Sequence, residues 1–195
     1  VKMTNHSWAF SKQALQQELG LSWLGVINDF TAVAHSLPGL LPNQLIQLGE
    51  GTREVEGNIV VFGPGTGLGV EHMTMTASGW QTLDGEGGHV DFAPTDDAEM
   101  AVLRILKGRF GRVSVERILC GQGLLNLYQA HAEIQGVAAP LDAPEKITAA
   151  AVENTDRLAR HTLSHFCEIL GRVAGNGVLT LGSTGGGEPG GGTAA

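Results

Sequence analysis

The stretch from Gly57 to Gly88, GNIVVFGPGTGLGVEHMTMTASGWQTLDGEGG, restricts the fold more than any other part of the chain. Val60 and Val61 lead into a glycine loop, Val70 to Thr76 continue with extended character, and Ser78 with Gly79 turns the chain toward WQTL. A loop held between strands needs helices to cover the sheet, and helical patterns flank it on both sides. SKQALQQELG reads as a short helix capped by Ser11, with Ala14, Leu15 and Leu19 on one side and Gly20 as its stop. WLGVIND, ending in Asn28 and Asp29, predicts a strand buried on both faces, with its polar end where α/β proteins keep their ligands. FTAVAHSLPGL then turns toward a helix broken at Pro38 and Gly39. Further on, DDAEMAVLRILKGRFG carries Met100, Leu103, Ile105 and Leu106, and LLNLYQAHAEI carries another apolar face. The longest predicted helix spans Glu145 to about Val173, opened by Asp142 and Pro144 and ending at Gly175, after which GVLTLG reads as one more strand. The expectation is α/β without internal repeats.

Composition narrows the function classes. With 42% apolar and 16% charged residues over 195 positions, the chain fits a soluble globular protein with a real core. A formal charge of -8, from 20 acidic and 12 basic residues with no basic run, argues against nucleic acid as a partner. Cys120 and Cys167 form no framework for disulfides or thiolate metal binding and point to reduced, cytoplasmic thiols. VKMTNHSWAFSK lacks the apolar core of a signal peptide, and no apolar run approaches the roughly 18 residues of a membrane span. The start at Val1 and the glycine-rich end, GSTGGGEPGGGTAA, suggest a piece of a longer protein with a disordered tail.

Three groups of residues carry candidate chemistry. GPGTGLG presents the amides of Gly63, Gly65 and Gly67 unobstructed, with the Thr66 hydroxyl as a further donor, which suits phosphate. The spacing does not fit the dinucleotide fingerprint, and the segment lacks the lysine of a Walker loop. Amides, a hydroxyl and Mg²⁺ would therefore hold the phosphates; the plain alternative is a tight β-turn. Asp29 is a candidate general base for a hydroxyl nucleophile, with a cap at a strand end as its structural alternative. In DGEGGHVDF, Gly87 and Gly88 let Glu86 and His89 face one polyhydroxylated ligand as acceptor and donor. A zinc site would need a third matching ligand, so no metal site is assigned and Asp91 reads as supporting structure. Glu116 alone reads as an exposed helix charge paired with Arg112 or Arg117. Cys120 has no cue for nucleophilic chemistry, His131, His161 and His165 none for catalysis, and Trp8, Trp23, Trp80 and Tyr128 read as packing residues.

VINDFTAVAHSLP, VVFGPGTGLGVEH, LDGEGGHVDFAP and SVERILCGQGLLNLY, in that order and separation, together resemble bacterial glucokinases of the ATP-dependent hexokinase superfamily, from about Thr4 to Gly182. The resemblance implies an actin-like (ribonuclease H-like) ATPase fold with an incomplete small domain over residues 1–39, most of the large domain over 40–182, and a glycine-rich tail over 183–195. It implies transfer of the ATP γ-phosphoryl to the 6-hydroxyl of glucose in a cytoplasmic enzyme that is a homodimer when full length. Asp29 then corresponds to the catalytic base, Asn28, Glu86, His89 and Glu116 to partners of the glucose hydroxyls, and Gly63, Gly65, Thr66 and Gly67 to part of the nucleotide-phosphate site. The family's N-terminal D-x-G-G-T-N loop has no counterpart here, and its apolar continuation after VLTLG is replaced by STGGGEPGGGTAA. A kinase for a related hexose and a noncatalytic sugar-binding domain are the alternatives.

Overall fold

The computed structural model of the chain describes residues 9–189. Among the described residues, four strands form one sheet in the order β3-β2-β1-β4, with β1 at Ile59–Pro64, β2 at Leu68–Thr76, β3 at Gly79–Leu83 and β4 at Gly186–Pro189. The predicted glycine loop is the turn of the β1–β2 hairpin, in which Ile59 faces Met73, Gly63 faces Gly69 and Pro64 faces Leu68. β3 extends the sheet antiparallel to β2, and β4 runs parallel to β1. Residues 190–195 of the glycine-rich end, like Trp8, lie outside the described residues.

Period-two alternation divides the hairpin between two cores. Val60, Phe62, Leu68 and Val70 join Val102, Leu106, Ile118, Leu127 and Ile169 from the helical side. Ile59, Val61 and Met73 face the other way, toward Ala34 and Leu37. Each fully buried aliphatic side chain contributes about 1.5–3 kcal/mol, so the larger cluster dominates stability.

The helices are α1 (Lys12–Glu18), α2 (Asp29–Ser36), α3 (Asp97–Phe110), α4 (Gly121–Gln135), α5 (Pro144–Val152) and α6 (Arg157–Leu181). Ser11 caps α1 by accepting from the Ala14 amide, as expected. The strand expected over WLGVIND is not formed: residues 21–28 have no regular structure, because none of the four strands offers that segment a ladder. Asn28 instead caps α2, its side-chain oxygen accepting from the Phe30 amide, and Asp29 is the first helical residue.

Two further expectations are corrected. The single long helix from Glu145 is two helices, divided where Asn154 adopts a left-handed φ of 56° and Asp156 caps α6 by accepting from the Ala159 amide. GVLTLG is not a strand; α6 runs through it to Leu181 and stops at left-handed Gly182. Gly177 allows that extension, since a Cβ there would strike the Phe62 ring on β1. Trp23, expected to pack, is 76% exposed, whereas Tyr128 is fully buried.

Candidate functional site

The turn Gly65–Gly67 is closed by the Gly65 amide donating to the Gly67 carbonyl at 2.8 Å. The Gly121 amide, first in α4, donates to the Gly65 carbonyl at 2.9 Å, so the helix N-terminus butts against the loop. Thr66 is exposed at the tip. Gly65 has open space where a side chain would stand, and a Cβ on Gly67 would press on Glu116 Oε2. Ahead of α4, the Cys120 sulfur accepts from the Gly123 amide at 3.2 Å and donates to the Glu116 carbonyl at 3.0 Å. Burial pushes this thiol up, which leaves it a helix cap rather than a nucleophile.

Glu116 does not lie on a solvated helix face. It sits in a short 3-10 turn, Val115–Arg117, where its Oε2 accepts from the Leu68 amide at 2.9 Å, just beyond the glycine turn. Its other oxygen lies 3.6 Å from His89 Nδ1, while His89 Nε2 lies 3.8 Å from Glu86 Oε2. The imidazole is thus bracketed by two carboxylates. A short antiparallel ladder creates this arrangement: Asp91 bridges Ser114, the Phe92 amide donates to the Val113 carbonyl at 3.0 Å, and the Val115 amide to the Val90 carbonyl at 2.9 Å. The pairing brings the 3-10 turn that ends at His89 beside the one that holds Glu116. The partners expected for Glu116 are engaged elsewhere. Arg112 donates to Asp91 Oδ1 and to the His89 carbonyl, both at 2.7 Å, and Arg117 lies over the Phe110 ring, 4.4 Å from its centroid.

Asn28 and Glu86, far apart in sequence, line one cleft of about 540 Å³ together with Thr31, Glu71, Asp84 and the apolar edges of Val26, Ile27 and Val70. Asp29 is exposed at the start of α2 between two lining residues, Asn28 and Phe30, and its carboxylate accepts from the Phe30 amide at 2.8 Å. The sequence-predicted residues therefore fall in two groups: Glu86, His89, Glu116 and Gly67 lie against one another, and Asn28 lines the cleft just ahead of α2, with Asp29 exposed beside it. Thr31 and Glu71 escaped the sequence reading. Glu71 alternates in phase with Met73, and a carboxylate on the buried face of a strand was the available signal.

A second polar group lies among the helices. His131 Nδ1 contacts Thr162 Oγ1 at 3.0 Å and its Nε2 contacts His165 Nδ1 at 2.9 Å; His165 in turn reaches Glu99 at 3.4 Å, and Glu99 also pairs with Arg172. Burial, reinforced by His161 and His165, pushes His131 down to about 3. Among the described residues, no three His, Cys, Asp or Glu side chains form a group that could hold a metal ion, and no helix is long and apolar enough to cross a membrane.

The glucokinase family profile matches residues 1–195. The chain is 62% identical over 186 residues to a glucokinase of Marinobacter nauticus and 51% identical to one of Hahella chejuensis; each match covers 95% of this chain and 58% of the relative. In structure it superposes on a glucokinase from an Antarctic psychrotroph with a TM-score of 0.84 at 34% identity, covering 93% of this chain and 56% of the other. The chain thus spans little more than half the length of the relatives it matches, and it carries the corresponding part of the actin-like α/β fold. By profile, sequence and fold alike, it belongs to the glucokinase family.

Proposed function

We propose that the protein of which this chain forms part phosphorylates glucose at the 6-hydroxyl, using ATP and giving ADP and glucose 6-phosphate. The observation that carries this reading is the convergence of Glu86, His89 and Glu116 against the glycine turn, which joins a polyol-binding group to a phosphate-binding one. In this reading Asn28, Glu86, His89 and Glu116 bind the sugar hydroxyls as mixed donors and acceptors. Gly63, Gly65, Thr66 and Gly67 form one wall of the nucleotide-phosphate site; the open space at Gly65 and the exposed Thr66 hydroxyl fit a group that must approach the backbone closely. ATP, when bound with Mg²⁺, supplies the phosphoryl group. Mg²⁺ commonly keeps much of its water and its phosphate ligands, and so does not require a cage of side chains.

Asp29 accepts the proton of the 6-hydroxyl as that oxygen bonds to the γ-phosphorus and the bond to the ADP oxygen breaks. The carboxylate then returns its proton to solvent. The bracketed His89 and the anchored Glu116 hold the sugar so that one hydroxyl points at the base. We further assign residues 1–39 to a small domain and residues from Leu40 to a large one, with the complete protein acting as a cytoplasmic homodimer; the two unpaired cysteines suit a reducing compartment.

The test is glucose-dependent ADP formation by the chain extended at both ends to the length of its relatives. Asp29→Asn is expected to lower kcat by roughly 10²–10⁴-fold while glucose binding, followed by calorimetry, persists. Binding without turnover in the parent would leave a sugar-binding domain, and preference for another sugar would leave a kinase for a related hexose.

A further inference from the structure

Helix α2 lies along one face of the β1–β2 hairpin, and its first turn touches that face at two points. Gly63 and Gly69 are register partners, and a Cβ on either would strike the Phe30 ring, which occupies the flat place they leave. One residue further, Thr31 is buried and donates to Glu71 Oε2 at 2.8 Å. Val61 faces Glu71 across the ladder, so the same face runs from the glycine pair through this hydrogen bond to Ile59 and Met73, where Ala34 and Leu37 pack.

Glu71 is only 4% exposed. Its other oxygen accepts from the His72 amide at 3.2 Å, so the carboxylate is held by a hydroxyl and an amide. A pair of aliphatic residues would fasten α2 to the sheet at least as firmly, because burying a charged group offsets much of what its partners return. What the hydroxyl–carboxylate bond adds is direction. It has a preferred length and angle, so it fixes both the rotation of α2 about its axis and its position along the hairpin. Asp29 precedes Thr31 by two residues, about 200° around the helix, so rotation that broke the bond would carry the Asp29 carboxylate around the helix axis with it.

We infer that the Thr31–Glu71 hydrogen bond is a positioning element for Asp29, with the Phe30 ring as its pivot. Thr31 and Glu71 are positioning residues that act through Asp29. The inference rests on the reading of Asp29 as the base in sugar phosphorylation. It also makes the turn bearing the base and the hairpin bearing Thr66 one mechanical unit, since both anchors of α2 sit on the two strands that flank the glycine turn.

The test uses the extended chain and steady-state kinetics. Thr31→Val preserves shape and removes the donor; it is expected to lower kcat by about tenfold or more while the KM for glucose stays within about twofold, since misplacing a reacting group affects the transition state more than sugar binding. Thr31→Ser, which restores a hydroxyl, should recover most of kcat. In an Asp29→Asn background, Thr31→Val should cause no further loss of residual turnover, the mark of two residues acting as one unit. A kcat within twofold of the parent, or losses that multiply in the double variant, would overturn the inference. Where Thr31→Val shows no cooperative thermal transition, Glu71→Gln carries the test with an expected fall in kcat of about threefold, and an unchanged kcat overturns it. A parent that forms no ADP with glucose overturns the functional reading and this inference together, whereas an active parent whose variants are unaffected overturns the inference alone.

Discussion

The two faces of the sheet are covered unequally. On one, Val60, Phe62, Leu68 and Val70 meet a large apolar cluster built from α3, α4 and α6 and the 3-10 turn before α4. On the other, Ile59, Val61 and Met73 meet little more than α2, and the chain leading into α2 leaves Trp23 76% and Ile27 60% exposed. Asn28 and Asp29 belong to the thin side. The thick side supplies stability, and the thin side carries the group proposed to take a proton.

The largest expected effect comes from the thick side. Glu99 is 1% exposed and serves Arg172, His165 and the Thr95 amide together. Glu99→Ala would leave Arg172 without this partner and is expected to cost about 3–5 kcal/mol, measured as a fall in the midpoint of urea unfolding. Ile169→Ala, in the middle of α6, is expected to cost about 2–5 kcal/mol by cavity formation, and Leu37→Ala on the thin side should fall at or below the lower end of that range. Equal losses at Ile169 and Leu37 would break the contrast between the faces.

The next effect is one of pH. His131 is held near 3 against an ordinary value of 6.5, so between those values the unfolded chain binds a proton that the folded chain refuses. Stability therefore rises with pH across that window and is lost as pH falls through it, by up to about 1.4 kcal/mol per pH unit. The groups around the ring are Thr162, His161 and His165, with Glu99 and Arg172 beyond. Replacing His131 by Gln should flatten the dependence of thermal midpoint on pH between 6.5 and 4. Smallest of all, Ile27→Thr on the thin side should change stability by no more than about 0.5 kcal/mol in the same unfolding experiment.

Much of this arrangement was legible in the sequence where local chemistry decides it. Glycines between β-branched runs placed the hairpin, Ser11 and Gly20 bounded α1, and Gly87 with Gly88 brought Glu86 and His89 together. The misreadings have physical causes. An apolar run ending in Asn28 resembles a buried strand, but the asparagine capped a helix instead, since a strand exists only with a neighbour to pair with. Gly175 looked like a helix stop and GVLTLG like a strand, yet Gly175 meets open space and Gly177 makes room for Phe62, so α6 continues. The Thr31–Glu71 bond and the histidine chain join residues 40 and 31–34 positions apart, respectively, and no local pattern announces such pairs.

The short ladder between residues 90–92 and 113–115 separates parts of this chain that must keep count from parts that need not. Everything from Ala93 to Arg112, α3 included, is a detour between its two short strands, and residues added in the loops of that detour would leave His89 beside Glu116. One residue inserted between Val90 and Phe92, or between Val113 and Val115, would shift the pairing and move the His89 and Glu116 turns out of step with each other. The loops that lead into and out of α3 can lengthen without disturbing this pairing, while the few residues at the ends of the excursion must keep count.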